Sequence, residues 1–400
     1  LPNQLLVVTI PLPSARSLAV GIYLAVGSRY EAPTEAGASH YIEHMLFKGT
    51  KTRTALDIAN IIERVGGYAN ASTGREGTSY YTLVTPQHLD VALDLLSDML
   101  LNSRFQPKEL ERERGVIVEE INRTLDTPES PVGRSIAGTH QTVTAMARRQ
   151  LLRFMAQYYR PNGAALVVAG PIEHEPVRAA TERVFAAWEP GEMPRFAPAP
   201  AANQTSRVLA EVRGTEQAQL CLSLRGVSRR DPERHAVSIM TAILGDGMGS
   251  RLFQEIREKR GLAYAVDASG AYLLDTGSFV VYAGVPPERA QEALKAILEQ
   301  LDRMRRRLVT AAELERGKEY TKGRLLLGLE TPSANAGWIG SQVAQGLEVI
   351  TPEEWIARVD AVTAEDVRRV ARRLFDGAAL QLALVGPFED VKPFEPLLKL

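Results

Sequence analysis

Cysteine is almost absent from this chain of 400 residues, in which Cys221 is the only one. No disulfide can form within the chain, and a lone thiol favours a reducing compartment. The residues around it, 219–224, alternate in polarity as a strand does. We therefore predict that Cys221 packs in a core and does not act as a reactive thiol.

Excess charge is also lacking, because 47 Lys and Arg stand against 48 Asp and Glu, a formal net charge of -1. Such a chain has no long-range field for polyanions, so nucleic acid and membrane surfaces are poor candidates as main partners. No apolar run approaches the roughly 18 residues of a membrane span. We expect the protein to be located in the bacterial cytoplasm. A start at Leu1 instead of Met leaves a removed targeting segment, and with it the periplasm or an organelle, open.

Histidine is scarce, yet two of the six histidines lie four positions apart, at His40 and His44. Residues at that spacing share one face of a helix, so both imidazoles can reach a single metal ion. Glu43 lies beside them, where a general base would take a proton from water. The residues form an H-x-x-E-H motif. In a chain of this composition, about 0.01 such motifs are expected by chance. The alternative is an amphipathic helix with two surface histidines.

A catalytic zinc site usually has a third protein ligand. The charged segment 110–121 contains Glu113 and Glu120, which are seven residues apart and so share a helix face. One could bind the metal while the other orients the site from behind a ligand. The alternative is a solvated helix face of Glu/Arg pairs.

Three segments carry a likeness to a known family: residues 27–31, 38–50 and 66–73. They closely resemble the pitrilysin-type (M16) zinc metallopeptidases, which include insulysin, the mitochondrial processing peptidase and bacterial two-domain peptidases. The resemblance implies one Zn²⁺ per chain held by His40, His44 and Glu120, with Glu113 as a second functional glutamate. It also implies a substrate-binding edge strand formed by Asn70, Ala71, Ser72 and Thr73.

The glycine-rich run 245–250 precedes a helix-like segment that contains Arg257 and ends near Tyr264. Nucleotide binding is disfavoured, because the residues before the run read as a helix and Ser250 replaces the third glycine of a dinucleotide fingerprint. The resemblance implies instead that Arg257 and Tyr264 hold the substrate backbone, with Tyr264 as an oxyanion donor. The alternative is a surface arginine and a tyrosine packed on the core.

Internal repeats predict the architecture. Residues 77–100 resemble 277–301, and residues 164–171 resemble 378–387. We predict two similar α+β domains, 1–189 and 205–400, joined by a Pro- and Ala-rich linker at 190–204. Each would have a mainly antiparallel sheet packed with helices, and the resemblance implies that the pair forms half of a clamshell.

The two repeats differ in length, because 33 residues separate Glu111 from Thr144 and 48 separate the matching Glu315 from Thr363, so the first repeat is about 15 residues shorter. The difference falls near Ser130 and Pro131. It reflects either a true deletion or a segment left out of the sequence, and we favour the second.

The resulting hypothesis is a zinc-dependent endopeptidase that cleaves short or unfolded peptides. Because the chain matches half of a four-domain chamber, the resemblance implies a homodimer, with a heterodimer to a zinc-less relative as the alternative. Two other functions stay open: a non-catalytic scaffold subunit, and a peptide-binding module whose zinc is structural.

Overall fold

The computed structural model describes residues 1–126, 135–192, 195–200, 208–376 and 380–400. The chain divides into two compact units. Apart from those gaps, unit 1 contains residues 1–126, 135–197 and 327–350, and unit 2 contains residues 198–326 and 351–400.

Unit 1 is built on a five-stranded sheet in the order β1-β5-β2-β4-β3. Its strands are β1 (Leu6–Pro11), β2 (Leu18–Leu24), β3 (Tyr68–Thr73), β4 (Thr78–Val84) and β5 (Ala164–Gly170). The β1/β5 pair is parallel and the other three pairs are antiparallel. The central strands β2 and β5 are buried along their whole length, as their unbroken apolar sequences predict.

Unit 2 repeats this topology in the order β6-β10-β7-β9-β8. Its strands are β6 (Val208–Val212), β7 (Ala218–Gly226), β8 (Ala265–Tyr272), β9 (Gly277–Val285) and β10 (Gln381–Gly386). Only the β6/β10 pair is parallel. Because strand order and pairing sense coincide in both units, the predicted pair of similar α+β domains with mainly antiparallel sheets is confirmed.

Helices cover the sheets. The first half of the chain forms α1 (Ala38–Leu46), α2 (Ala55–Glu63), α3 (Leu89–Asn102), α4 (Pro107–Asp126), α5 (His140–Ala145), α6 (Arg148–Tyr158) and α7 (His174–Phe185). The second half forms α8 (Arg234–Leu244), α9 (Ala290–Arg306), α10 (Ala311–Gly328), α11 (Pro332–Ala344), α12 (Pro352–Asp360) and α13 (Ala364–Leu374). No helix in the part of the chain that the structure describes is both long and apolar enough to cross a membrane.

Helix α11 comes from the second half of the chain but packs in unit 1. It lies on β2 and β5, where Ala336 joins the small apolar side chains of one sheet face, among them Ala19 and Ala165. A Cβ atom at Gly340 would come within 2.4 Å of the Tyr23 ring, so this close approach requires glycine. The structure therefore differs from the predicted boundaries, which placed all of 205–400 in the second domain, because this apolar face needs cover.

Two further points of the sequence analysis concern particular residues. Cys221 is buried in β7, and burial raises the pKa of its thiol, as suits a core residue. The shortened segment near Ser130 and Pro131 lies outside the described residues.

Candidate metal centre

The N-terminus of helix α1 is held in place by Gly37 and the side chain of Glu31. Gly37 adopts a φ of 96°, a conformation that favours glycine, and the helix begins at the next residue. The buried carboxylate of Glu31 accepts hydrogen bonds from the backbone N–H groups of Gly37 and Ser39, each at 2.9 Å. A carboxylate at this position satisfies free N–H groups at the positive end of the helix dipole. These hydrogen bonds therefore fix the start of α1 at Ala38, two residues before His40.

Helices α1 and α4 bring three possible metal ligands together: His40 and His44 from α1, and Glu120 from α4. Nε2 of His40 lies 3.5 Å from Oε2 of Glu120, and Nε2 of His44 lies 3.7 Å from the same oxygen. One ligand atom from each of the three residues lies within 4.8 Å of the others. Because α1 packs against α4, residues 76 or more apart in sequence converge on one point.

Glu113 lies behind His44. Its carboxylate is 3.1 Å from Nδ1 of His44, and only 3% of the side chain is exposed. A carboxylate can only accept, so the His44 Nδ1–H donates and the lone pair of Nε2 remains free toward Glu120. This is how ligand histidines are commonly oriented in metal sites. The donor set of two imidazole nitrogens and one carboxylate oxygen, backed by a second carboxylate, fits zinc.

His40 is kept neutral by its surroundings. Burial, reinforced by the neighbouring His44, lowers the pKa of His40 to about 4. Its buried Nδ1 atom has no hydrogen-bond partner among the described residues. At neutral pH the ring is therefore uncharged, and its Nε2 can offer a lone pair to a metal.

Glu43 points to the end of strand β3. The hydroxyl of Thr73 donates a hydrogen bond to Oε2 of Glu43. Burial raises the pKa of the Glu43 carboxyl, and the hydrogen bond from Thr73 opposes that rise. Glu43 thus lies near the three possible ligands without being one of them.

Strand β3 lies at the edge of its sheet. Within the described ranges it pairs with β4 alone, and residues 70–73 occupy the end of β3 nearer to Glu43. Exposed and half-buried residues alternate along the strand. The Ala71 N–H donates to Oδ1 of Asn70 at 2.8 Å, and the other backbone groups along the unpaired edge can meet an extended peptide.

Arg257 and Tyr264 come together in unit 2. The Arg257 guanidinium lies 5.2 Å from the centre of the Tyr264 ring and 4.8 Å from that of Phe253. Arg257 belongs to the helical segment Phe253–Lys259, and Tyr264 directly precedes β8. Tyr264 is 72% exposed, so it does not pack in the core.

The glycine run before this segment follows helix α8, so the strand that a dinucleotide-binding turn needs is not there.

Two polar partners of the site were missed in the sequence analysis. Lys48 pairs with Glu113 at 2.8 Å, and the hydroxyl of Thr73 donates a hydrogen bond to Glu43. No helical spacing predicts the Lys48 contact, because Lys48 lies beyond the end of α1. No local pattern pairs Thr73 with Glu43, because the contact depends on how β3 packs against α1.

Two family models match the chain in succession. The model described as Insulinase (Peptidase family M16) matches residues 6–148, and the one described as Peptidase M16 inactive domain matches residues 145–320. The chain belongs to peptidase family M16. The possible metal ligands and Glu43 lie in the first matched region, and Arg257 and Tyr264 lie in the second.

Curated M16 relatives align over nearly the whole chain. An uncharacterized zinc protease of Streptomyces coelicolor is 39% identical over 98% of this chain and 89% of its own length. One from Mycobacterium leprae is 36% identical, over 98% of this chain and 92% of its own. The zinc protease YmxG of Bacillus subtilis is 34% identical, over 94% of each.

Solved structures share the fold. A protease from Helicobacter pylori superposes with a TM-score of 0.89 at 24% identity, covering 97% of this chain and 98% of that one. A peptidase M16 inactive domain from Pseudomonas fluorescens gives 0.86 at 20% identity, with 95% of each chain covered. At these identities the likeness concerns the two-sheet architecture.

Proposed function

We propose that this M16 chain is a zinc-dependent endopeptidase in which Glu43 is the general base. The observation that carries the proposal is the convergence of His40 Nε2, His44 Nε2 and Glu120 Oε2 beside the Glu43 carboxylate. The relatives named zinc proteases add support, since they align over nearly all of the chain.

One zinc ion per chain would be held by His40, His44 and Glu120. When bound, zinc supplies Lewis-acid chemistry, which makes a water molecule more acidic and polarises a carbonyl. Three protein ligands leave room for that water, whereas a structural zinc normally has four.

Glu43 carries the proton. Its carboxylate accepts a proton from the attacking water, whose oxygen bonds to the scissile carbonyl carbon, and then gives that proton to the leaving amine as the C–N bond breaks. The hydrogen bond from Thr73 occupies one carboxylate oxygen and fixes the orientation of the other. Burial of Glu43 favours this role, since a carboxyl group with a raised pKa accepts a proton more readily.

Short or unfolded peptides are the proposed substrates. An extended segment would add to the free edge of β3 at residues 70–73 through backbone hydrogen bonds, which depend little on side-chain identity. Arg257 and Tyr264 are proposed to bind the substrate backbone, with the Tyr264 hydroxyl donating to the developing oxyanion. Their mutual contact and the exposure of Tyr264 support this role.

Removal of the metal is the direct test of the function. We expect the zinc-loaded protein to cleave a quenched library of unstructured peptides, and a chelator to abolish cleavage. One equivalent of Zn²⁺ should restore it, because the chain has one set of three ligands among its described residues. Mass spectrometry of the products should show internal cleavage. Stoichiometric zinc without any peptide cleavage would instead indicate a structural metal in a binding module.

We also propose that the protein acts as a homodimer, with a heterodimer as the other outcome. The metal residues lie in unit 1 and Arg257 and Tyr264 lie in unit 2. In a symmetric pair, the metal residues of each copy would be served by the Arg257 and Tyr264 of the other.

Complementation tests this assembly. Glu43→Gln and Tyr264→Phe subunits, each inactive alone, should regain about a quarter of wild-type activity when mixed and exchanged. Half of the dimers would then be mixed, and each would have one intact site. Subunit exchange is followed by native mass spectrometry, and a mixture of two Glu43→Gln preparations is the control. If exchange is complete and activity stays absent, Tyr264 does not serve a partner's site.

A further inference from the structure

The Glu113 carboxylate is buried between two donors. One oxygen is 3.1 Å from Nδ1 of His44, and the other is 2.8 Å from Nζ of Lys48. With 3% of its side chain exposed, Glu113 has almost no access to solvent. A carboxylate buried in this way is costly unless it is paired and hydrogen-bonded, and Lys48 is the cation that pairs with it here.

The position of Lys48 is fixed from both sides. Its backbone N–H donates to the carbonyl of Met45 at 3.1 Å, which continues the last turn of α1. Two residues later, the hydroxyl of Thr50 donates to Asp98 of α3 at 2.7 Å, and Arg53 pairs with the same carboxylate at 2.5 Å. Lys48 therefore extends from a segment tied to α3, and its ammonium group approaches Glu113 from a defined direction.

We propose that Lys48 is a positioning residue of the metal centre, which acts through Glu113 to orient His44. The ammonium group fixes one carboxylate oxygen, so that the other stays aligned with Nδ1 of His44 and Nε2 stays directed toward Glu120. This inference rests on the proposed zinc site. It adds a third layer to that site, in which the Lys48 ammonium directs the Glu113 carboxylate and the carboxylate directs the ligand imidazole.

Removing the Lys48 charge costs stability at the buried Glu113 carboxylate, but it does not disrupt the packing of the core. The Lys48 side chain is 29% exposed and lies beyond the end of α1, so truncation leaves no large cavity in the core. Lys48→Met keeps the apolar stem and removes the charge, whereas Lys48→Arg keeps the charge and the donors. Lys51, exposed in the same segment, supplies the matched control Lys51→Met.

The test measures zinc affinity, not activity. Metal-free protein competes with a chromophoric chelator for Zn²⁺, and the visible absorption of the Co²⁺-substituted protein reports the geometry of the ligands. We expect Lys48→Met to bind zinc about tenfold more weakly than wild type and to shift the Co²⁺ spectrum. Lys48→Arg should recover most of the affinity, and Lys51→Met should match wild type. Thermal unfolding of each metal-free variant checks the fold.

A double-mutant cycle shows whether Lys48 acts through Glu113. Glu113→Gln keeps an acceptor for His44 but removes the charge that Lys48 pairs with, so adding Lys48→Met in that background should change zinc affinity by less than about twofold. An equal loss in both backgrounds, or wild-type affinity in Lys48→Met, would overturn the inference while leaving the zinc site intact. Absence of zinc binding by the wild-type protein would overturn both.

Discussion

Glu43→Gln protein will bind zinc like the wild type and will cleave peptides at least about a hundredfold more slowly. The amide keeps nearly the same shape and can still accept the hydrogen bond from Thr73, but it cannot take a proton from water. The three proposed ligands are untouched, so the metal content should not change. A loss that falls on kcat more than on KM is expected, because the proton transfer belongs to the chemical step.

The measurement pairs metal analysis with steady-state kinetics on one quenched peptide. Glu63→Gln, at an exposed position at the end of α2, is the control for a change of the same chemical type. Wild-type kcat in fully zinc-loaded Glu43→Gln protein would contradict the role of Glu43 and leave the metal site standing. A fall in zinc content would instead place Glu43 among the ligands.

The second large effect concerns the proposed third ligand. Glu120→Gln should lose both zinc affinity and activity, because it replaces the carboxylate oxygen that lies within 4 Å of both imidazole Nε2 atoms. Glu119→Gln removes the same charge from the neighbouring residue, which is exposed on another side of α4. It should leave both quantities near wild type.

This pair of variants separates a ligand from a general charge effect, since each removes one negative charge from the same helix turn. Zinc stoichiometry after dialysis against a weak chelator, together with peptide cleavage, decides between them. If Glu119→Gln proves to be the variant poor in zinc, the helix register of the site is wrong by one residue.

The parts of the site that local periodicity governs could be predicted from the sequence. The spacing of His40, Glu43 and His44 along one helix determines that they share a face, and the same holds for Glu113 and Glu120. That the two helices meet, and which glutamate faces the imidazoles, depends on packing between distant segments. The family resemblance, not the spacing, had assigned Glu120.

The parts that long-range packing governs could not be predicted. Thr73 meets Glu43 only because β3 lies over α1, and Lys48 pairs with Glu113 only because α1 packs on α4. Repeated patterns in the sequence were sufficient to predict two similar sheets. They did not reveal that α11 leaves its own repeat, because an apolar helix face indicates burial without identifying the surface that covers it.

The packing of α11 on unit 1 affects the order in which the chain can fold during translation. The sheet that supports the metal residues is not covered on both faces until residues 332–344 exist. During synthesis from the N-terminus, unit 1 must therefore wait for most of unit 2 to be translated before its last helix arrives. Unit 1, which contains the proposed metal centre, is the first unit to be translated but one of the last parts of the chain to complete its fold. A truncated chain that ends at residue 189 would lack the helix that covers β2 and β5.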